Sequence, residues 1–107
     1  MKLLEIIQST MENMKAQDIA VVDFKNTSPI CDYFVICDAQ SLRQVKAIAD
    51  AVEKAVVDAG YEIKHQGNTP DATWVVVDAL DVVAHIFTTD ERSHYDLDKL
   101  YKEFIRE

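Results

Sequence analysis

The chain has 107 residues, 49% of them apolar and 28% charged, the proportions of one ordinary globular domain with room for a single core. Two Gly, two Pro and two Cys exclude collagenous, low-complexity and disulfide-framework classes. Nineteen Asp and Glu against eleven Lys and Arg leave a net charge of −8. That sign is wrong for a surface that must meet closely spaced phosphates, so nucleic acid is disfavoured as the main contact and a basic partner fits better. The alternative is that the charge serves solubility alone.

The opening Met1-Lys2-Leu3-Leu4-Glu5-Ile6-Ile7-Gln8 interrupts its apolar residues with charge, unlike the apolar stretch of a signal peptide, and no run approaches a membrane span. A cytoplasmic protein is expected. Cys31 and Cys37 fall in one extended-looking run, and at about 3.3 Å per residue their Cα atoms stand roughly 20 Å apart, beyond disulfide reach. Two buried free thiols are expected.

Residues 3–14 carry Leu3, Leu4, Ile7, Met11 and Met14 at helical spacing. Ile19–Phe24 reads as a strand, Lys25–Pro29 as a turn, and Tyr33–Cys37 as a central strand covered on both faces. Ser41 and Gln44 form a capping box, and Val45, Ile48, Ala49, Val52, Ala55, Val56 and Ala59 mark one face of a helix over 42–59 that stops at Gly60. Tyr61–His65 alternates like a strand, and residues 66–71 read as a loop. Thr73–Asp78 and Asp81–Phe87 are strands joined at Ala79-Leu80, and residues 96–104 form a last helix capped by Asp96. The order is α-β-β-α-β-β-β-α: a mixed β-sheet with flanking helices, of the α/β or α+β class, in a single domain over 1–107.

Pairing about an Ala79-Leu80 turn places Asp78 opposite Asp81, Val76 opposite Val83 and Trp74 opposite His85, all on one side of the hairpin. The other side, with Val75, Val77, Val82 and Ala84, is almost purely apolar and is where the 42–59 helix belongs. An aromatic, an imidazole and two acids together make a protein-recognition patch. The competing reading packs Trp74 under the last helix, with His85 as a half-buried core histidine.

Catalytic chemistry finds little support. Asp78 and Asp81 could be a metal pair, but the chain has no glycine-rich phosphate loop, and a solvated turn accounts for them. His65, His85 and His94 lack zinc-ligand spacing with one another or with either cysteine. Neither Ser41 nor Ser93 has a base and orienting acid selected by spacing. No cofactor and no metal are expected.

Two blocks carry a likeness to a known family. The first is Asp32-Tyr33-Phe34-Val35-Ile36-Cys37, with Ser41-Leu42-Arg43 and Ala49-Asp50. The second is Trp74–Asp78, Asp81–Phe87 and Glu91-Arg92-Ser93-His94-Tyr95-Asp96-Leu97. Together they resemble the ribosomal silencing factor, or Iojap-like, family over essentially the whole chain. Two departures stand out: Leu80 occupies a position the family usually fills with glycine, and Tyr101 one it usually fills with tryptophan.

The resemblance implies a nucleotidyltransferase-like mixed α/β fold that is not used as an enzyme. It implies binding to large-subunit ribosomal protein L-fourteen, with a steric block of subunit joining that represses translation. The expected partner-contacting residues are Trp74, Asp78, Asp81, His85, Arg92 and Tyr95, with Trp74 as anchor. The rival functions are a small nucleotidyltransferase using Asp78 and Asp81, and a homodimeric scaffold that pairs its Trp74 face with a second copy.

Overall fold

The computed structural model describes residues 1–105. Five strands form one sheet in the order β1-β2-β5-β4-β3: β1 is Gln17–Asp23, β2 Tyr33–Ala39, β3 His65–Asn68, β4 Trp74–Asp78 and β5 Val82–Thr88. The central β2–β5 pair is parallel and every other pair is antiparallel. The sheet is therefore mixed, as the sequence predicts.

The first face of the sheet carries two helices, α1 (Lys2–Asn13) and α2 (Leu42–Asp58). Leu3, Leu4, Ile7 and Met11 of α1 and Val45, Ile48, Ala49, Val52 and Val56 of α2 bury against Val35, Cys37, Val75, Val77, Val82, Ala84 and Ile86. The predicted match of apolar faces holds, and α2 lies on the Val75/Val77 side. Its start is fixed as the capping pattern requires: Ser41 Oγ accepts from the Gln44 N–H at 3.1 Å. Burial pushes the Cys37 thiol up to about 12. Both cysteines are free and buried.

The second face is closed over β1, β2 and β5, where Val83, His85 and Phe87 are buried, and the C-terminal segment lies over its β1/β2 part. Leu97, Tyr101, Phe104 and Ile105 pack there on Val22, Phe24, Ile36 and Phe34, and Ile105 bridges to Val22 beside the edge strand. This covering segment differs from the single helix expected over 96–104. It breaks into α4 (Leu97–Leu100) and a 3-10 turn (Lys102–Phe104), after which Ile105 is extended and makes its backbone bridge to Val22, a pairing that a continuing helix would not allow. Asp96 does cap, accepting from the Lys99 N–H at 3.2 Å, but from a left-handed conformation at φ +44°.

Two further readings need correction. The strand expected at Tyr61–His65 is displaced to His65–Asn68. Residues 61–64 instead carry the chain away from α2, tied by Tyr61 N–H to Val56 O and Lys64 N–H to Asp78 O. β3 is an edge strand with little buried side-chain area, so apolar alternation does not mark it. A helix not foreseen, α3 (Thr89–Tyr95), follows β5. Thr88 caps it by accepting from the Glu91 N–H at 3.3 Å, and Thr88-x-x-Glu91 is itself a capping-box signature.

The hairpin register is also corrected. Trp74 lies opposite Phe87, Val76 opposite His85 and Asp78 opposite Val83, so the turn is Leu80-Asp81 rather than Ala79-Leu80. The shift is two residues, which preserves side-chain parity: the predicted faces are right and the predicted partners are wrong. Asp81 therefore does not face Asp78. The Asp81 N–H donates to Ala79 O at 3.0 Å across Leu80, whose φ is +73°. A leucine held there is strained by about 1–2 kcal/mol. Leu80→Gly should stabilise the protein by about 1 kcal/mol and raise the melting temperature by roughly 4–8 °C; calorimetry showing no gain would mean the turn is unstrained.

Candidate docking face on the open half of the sheet

With the C-terminal segment confined to β1 and β2, the β4/β3 half of the second face stays open. A shallow groove of about 330 Å³ runs along it, lined by His65, Gly67, Asn68, Thr69, Trp74 and Val76. Trp74 is half-buried at its border. The indole stacks on Phe87 at 4.8 Å and leans on Tyr95 at 4.8 Å. Gly67 belongs to the groove because His65 folds over it: a Cβ at residue 67 would meet His65 Nε2 at 2.5 Å. The neutral, irregular β3 segment His65-Gln66-Gly67-Asn68 gave no sequence signal for this groove beyond its lone glycine.

The expected contact residues separate into three groups. Trp74 and the 48% exposed Tyr95 are together and accessible. The two acids lie at the far end of the hairpin: Asp78 is half-buried and accepts from the Leu80 N–H at 2.9 Å, while Asp81 is exposed. The Asp81 backbone carbonyl takes the Asp32 and Tyr33 N–H bonds at 2.8 and 3.2 Å, tying the turn to the start of β2. Beside the acids stand two exposed apolar side chains, Ile30 at 80% exposure and Leu80 at 44%, with Lys64 completing a shallow depression.

His85 and Arg92 are not surface groups. His85 is 7% exposed, with Phe34 edge-on to its ring at 4.5 Å. Trp74 Nε1 donates to His85 Nδ1 at 3.1 Å, and Nε2 is buried without a partner. Burial drives the imidazole down from 6.5 to about 4, against the opposing pull of the Asp78 charge, so the ring is neutral at physiological pH.

Arg92 is a clasp. Nη1 pairs with Asp38 at 2.9 Å, and Nε and Nη2 grip both oxygens of Asp98 at 3.1 and 2.8 Å. Nη1 also donates to the Asp18 carbonyl, which a bulge in β1 turns toward it. Burial works against the guanidinium charge, but the hydrogen bonds and charges of Asp98 and Asp38 outweigh it and raise Arg92 above its ordinary value. The hydrogen bond from Arg92 lowers the Asp98 carboxyl. Among the described residues no group of three or more His, Cys, Asp and Glu could hold a metal ion, and no helix is long and apolar enough to cross a membrane.

A family model described as "Ribosomal silencing factor during starvation" matches residues 1–107. The chain belongs to this family. A protein named ribosomal silencing factor RsfS from Halalkalibacterium halodurans is 38% identical over 100 residues, covering 94% of this chain and 86% of the relative. One of the same name from Bacillus subtilis is 38% identical over 99 residues, covering 92% and 84%. Among solved structures, a protein from Chromobacterium violaceum superposes with a TM-score of 0.89 at 29% identity, covering 94% of this chain and 84% of that one. A protein from Bacillus halodurans gives 0.85 at 36% identity, covering 99% and 97%. The mixed five-stranded fold is thus the fold of this ribosomal silencing factor family, and its relatives carry the name of a regulatory protein.

Two predictions follow from the buried groups. The unfolded chain protonates residue 85 near 6.5 and the folded chain only near 4. Between those values the unfolded state holds more protons, so stability falls as pH drops. Between pH 7 and 5 the loss from this group is about 2 kcal/mol; His85→Asn should show a smaller drop over the same range in denaturant titrations. Arg92→Leu leaves Asp38 buried without its cation and should cost roughly 3 kcal/mol. A melting temperature unchanged in that variant would show that the clasp carries no stability.

Proposed function

We propose that this protein silences ribosomes by docking its open half-sheet on large-subunit ribosomal protein L-fourteen, so that its bulk prevents the small subunit from joining and translation is repressed. The observation that carries this reading is the uncovered β4/β3 half-face of a family member with a charge of −8. A helix layer covers one face of the sheet and the C-terminal segment covers half of the other, which leaves one aromatic-bordered groove free in an acidic molecule. Such a surface suits a basic protein patch and is unsuited to bare RNA.

Within this reading Trp74 and Tyr95 supply the apolar contact, and Asp78 and Asp81 supply charge complementarity at the hairpin end. His85 and Arg92 act from beneath the surface rather than by contact. The protein acts as a steric block and not as an enzyme. Work in the cytoplasm, with no cofactor, fits an interaction made wholly of side chains. A second copy of the chain could cover the same groove, and that arrangement would compete with ribosome binding.

Sedimentation with purified large subunits, run beside thermal melts, tests this. Trp74→Ala removes stacking on Phe87 as well as the anchor, so it should lower stability by about 2 kcal/mol and, at a temperature where it is still folded, weaken subunit binding about thirty-fold or more. Asp81→Lys should melt like the parent, bind several-fold more weakly and lose part of the salt dependence. Subunit joining followed by light scattering should recover in both. Normal binding by folded Trp74→Ala, or tight salt-sensitive binding of the parent to protein-free ribosomal RNA, would sink the proposal.

A further inference from the structure

His85 is an ionisable side chain in an apolar setting. Val76 on β4 and Ile36 on β2 flank it in the sheet, with Phe34 edge-on to it at 4.5 Å and the Phe87 ring near-parallel at 6.5 Å. Leucine would fill that position without a polar atom. The imidazole has two nitrogens, and the protein uses one. Nδ1 accepts from Trp74 Nε1, so the proton of the neutral ring sits on Nε2. That N–H is buried and unpartnered, an arrangement that destabilises the fold. A group kept at such a cost is expected to have work elsewhere.

The work available is on Trp74. This is the only tryptophan in the chain, and Nε1 is its only side-chain polar atom. Stacking on Phe87, with Tyr95 tilted against it, holds the plane of the indole but selects poorly among rotations within that plane. The bond to Nδ1 selects one. It turns the Nε1 edge inward and leaves the opposite, benzenoid edge as the part of the ring free to meet a partner.

We propose that His85 is a positioning residue: its Nδ1 locks the Trp74 indole into a single orientation and so presents a pre-ordered aromatic edge to the basic ribosomal partner. This rests on the reading of the open half-face as the docking surface. The advantage is entropic, because a side chain already fixed in the free protein loses little freedom on binding. It also accounts for a histidine that belongs with the contact residues in sequence yet lies beneath them.

The unmodified protein provides the first test. NMR of the labelled imidazole should show Nδ1 bare and Nε2 protonated, with the indole N–H slow to exchange; a proton on Nδ1 would overturn the proposal. Two variants then separate positioning from packing. His85→Leu keeps volume without an acceptor, and His85→Asn keeps an acceptor at the δ position. The leucine variant should shift the emission of the sole tryptophan, increase its quenching by acrylamide and bind large subunits about ten-fold more weakly. The asparagine variant should recover the parent's emission and come within about three-fold of its affinity. A folded leucine variant with the parent's emission and affinity refutes the role, and so does an asparagine variant that behaves like leucine. Should the leucine variant not fold, the NMR result and the asparagine variant decide. Failure of the parent itself to bind large subunits would remove the docking reading, while the tautomer and emission results would still decide whether His85 orients Trp74.

Discussion

Asp38 lies 3% exposed at the end of β2, where a carboxylate is tolerated only beside a cation. Arg92 supplies that cation and in doing so ties three separate stretches together: the β1 bulge through Asp18 O, the β2 terminus through Asp38, and the C-terminal segment through Asp98. Thr89 adds a second bond to Asp38 at 2.8 Å. Because the clasp holds α3 against the ends of β1 and β2, the residues after it are delivered to that side of the sheet. Leu97, Tyr101 and Phe104 have nowhere else to bury. The division of the second face into a covered half and an open half is a consequence of where Arg92 is anchored.

That division assigns unlike tasks to neighbouring residues. Phe87, His85 and Val83 are interior, while Trp74 and Val76 one strand away are half-open and the His65 ring lies over Gly67 beyond them. The transition from core to surface thus takes place across the β5–β4 ladder, and Trp74 stands on it with one edge bonded inward. Acidic charge collects at the hairpin end of the same half, beside Ile30 and Leu80.

Much of the architecture was legible because burial dictates it. The 3.6-residue stripes of α1 and α2 and the apolar runs of β2 and β5 could only pack one way, and the Ser41 cap marked the start of α2 within a residue. The errors share one cause: where burial is slight, sequence periodicity carries no information. β3 pairs through its backbone and was displaced by four residues. The hairpin turn moved by one, which hid the true pairing of Trp74 with Phe87, although parity kept both faces correct. The site was legible to the same degree. Trp74 and Asp78 lie on the predicted side of the hairpin, and the competing reading of His85 as a half-buried core histidine anticipates its burial, but local patterns do not reveal depth, so nothing marked Arg92 as interior. Arg92 in particular has partners from distant parts of the chain, which only the closed fold brings together.

The parallel ladder between β2 and β5 pairs Tyr33 with Val82 and Ala39 with Thr88, so it cannot form until nearly the whole chain exists. The two antiparallel units, the hairpin β1–β2 and the meander β3–β4–β5, are local and can assemble early. Until they meet, each presents its most apolar strand as a bare edge: β2 with its buried run Val35–Ala39, and β5 with its buried run Val82–Phe87. Such edges invite pairing with the wrong strand, including that of a neighbouring molecule. The late, long-range closure at the centre of the sheet is therefore the step expected to set the folding rate, and it is also the step at which a nascent chain is most exposed to aggregation.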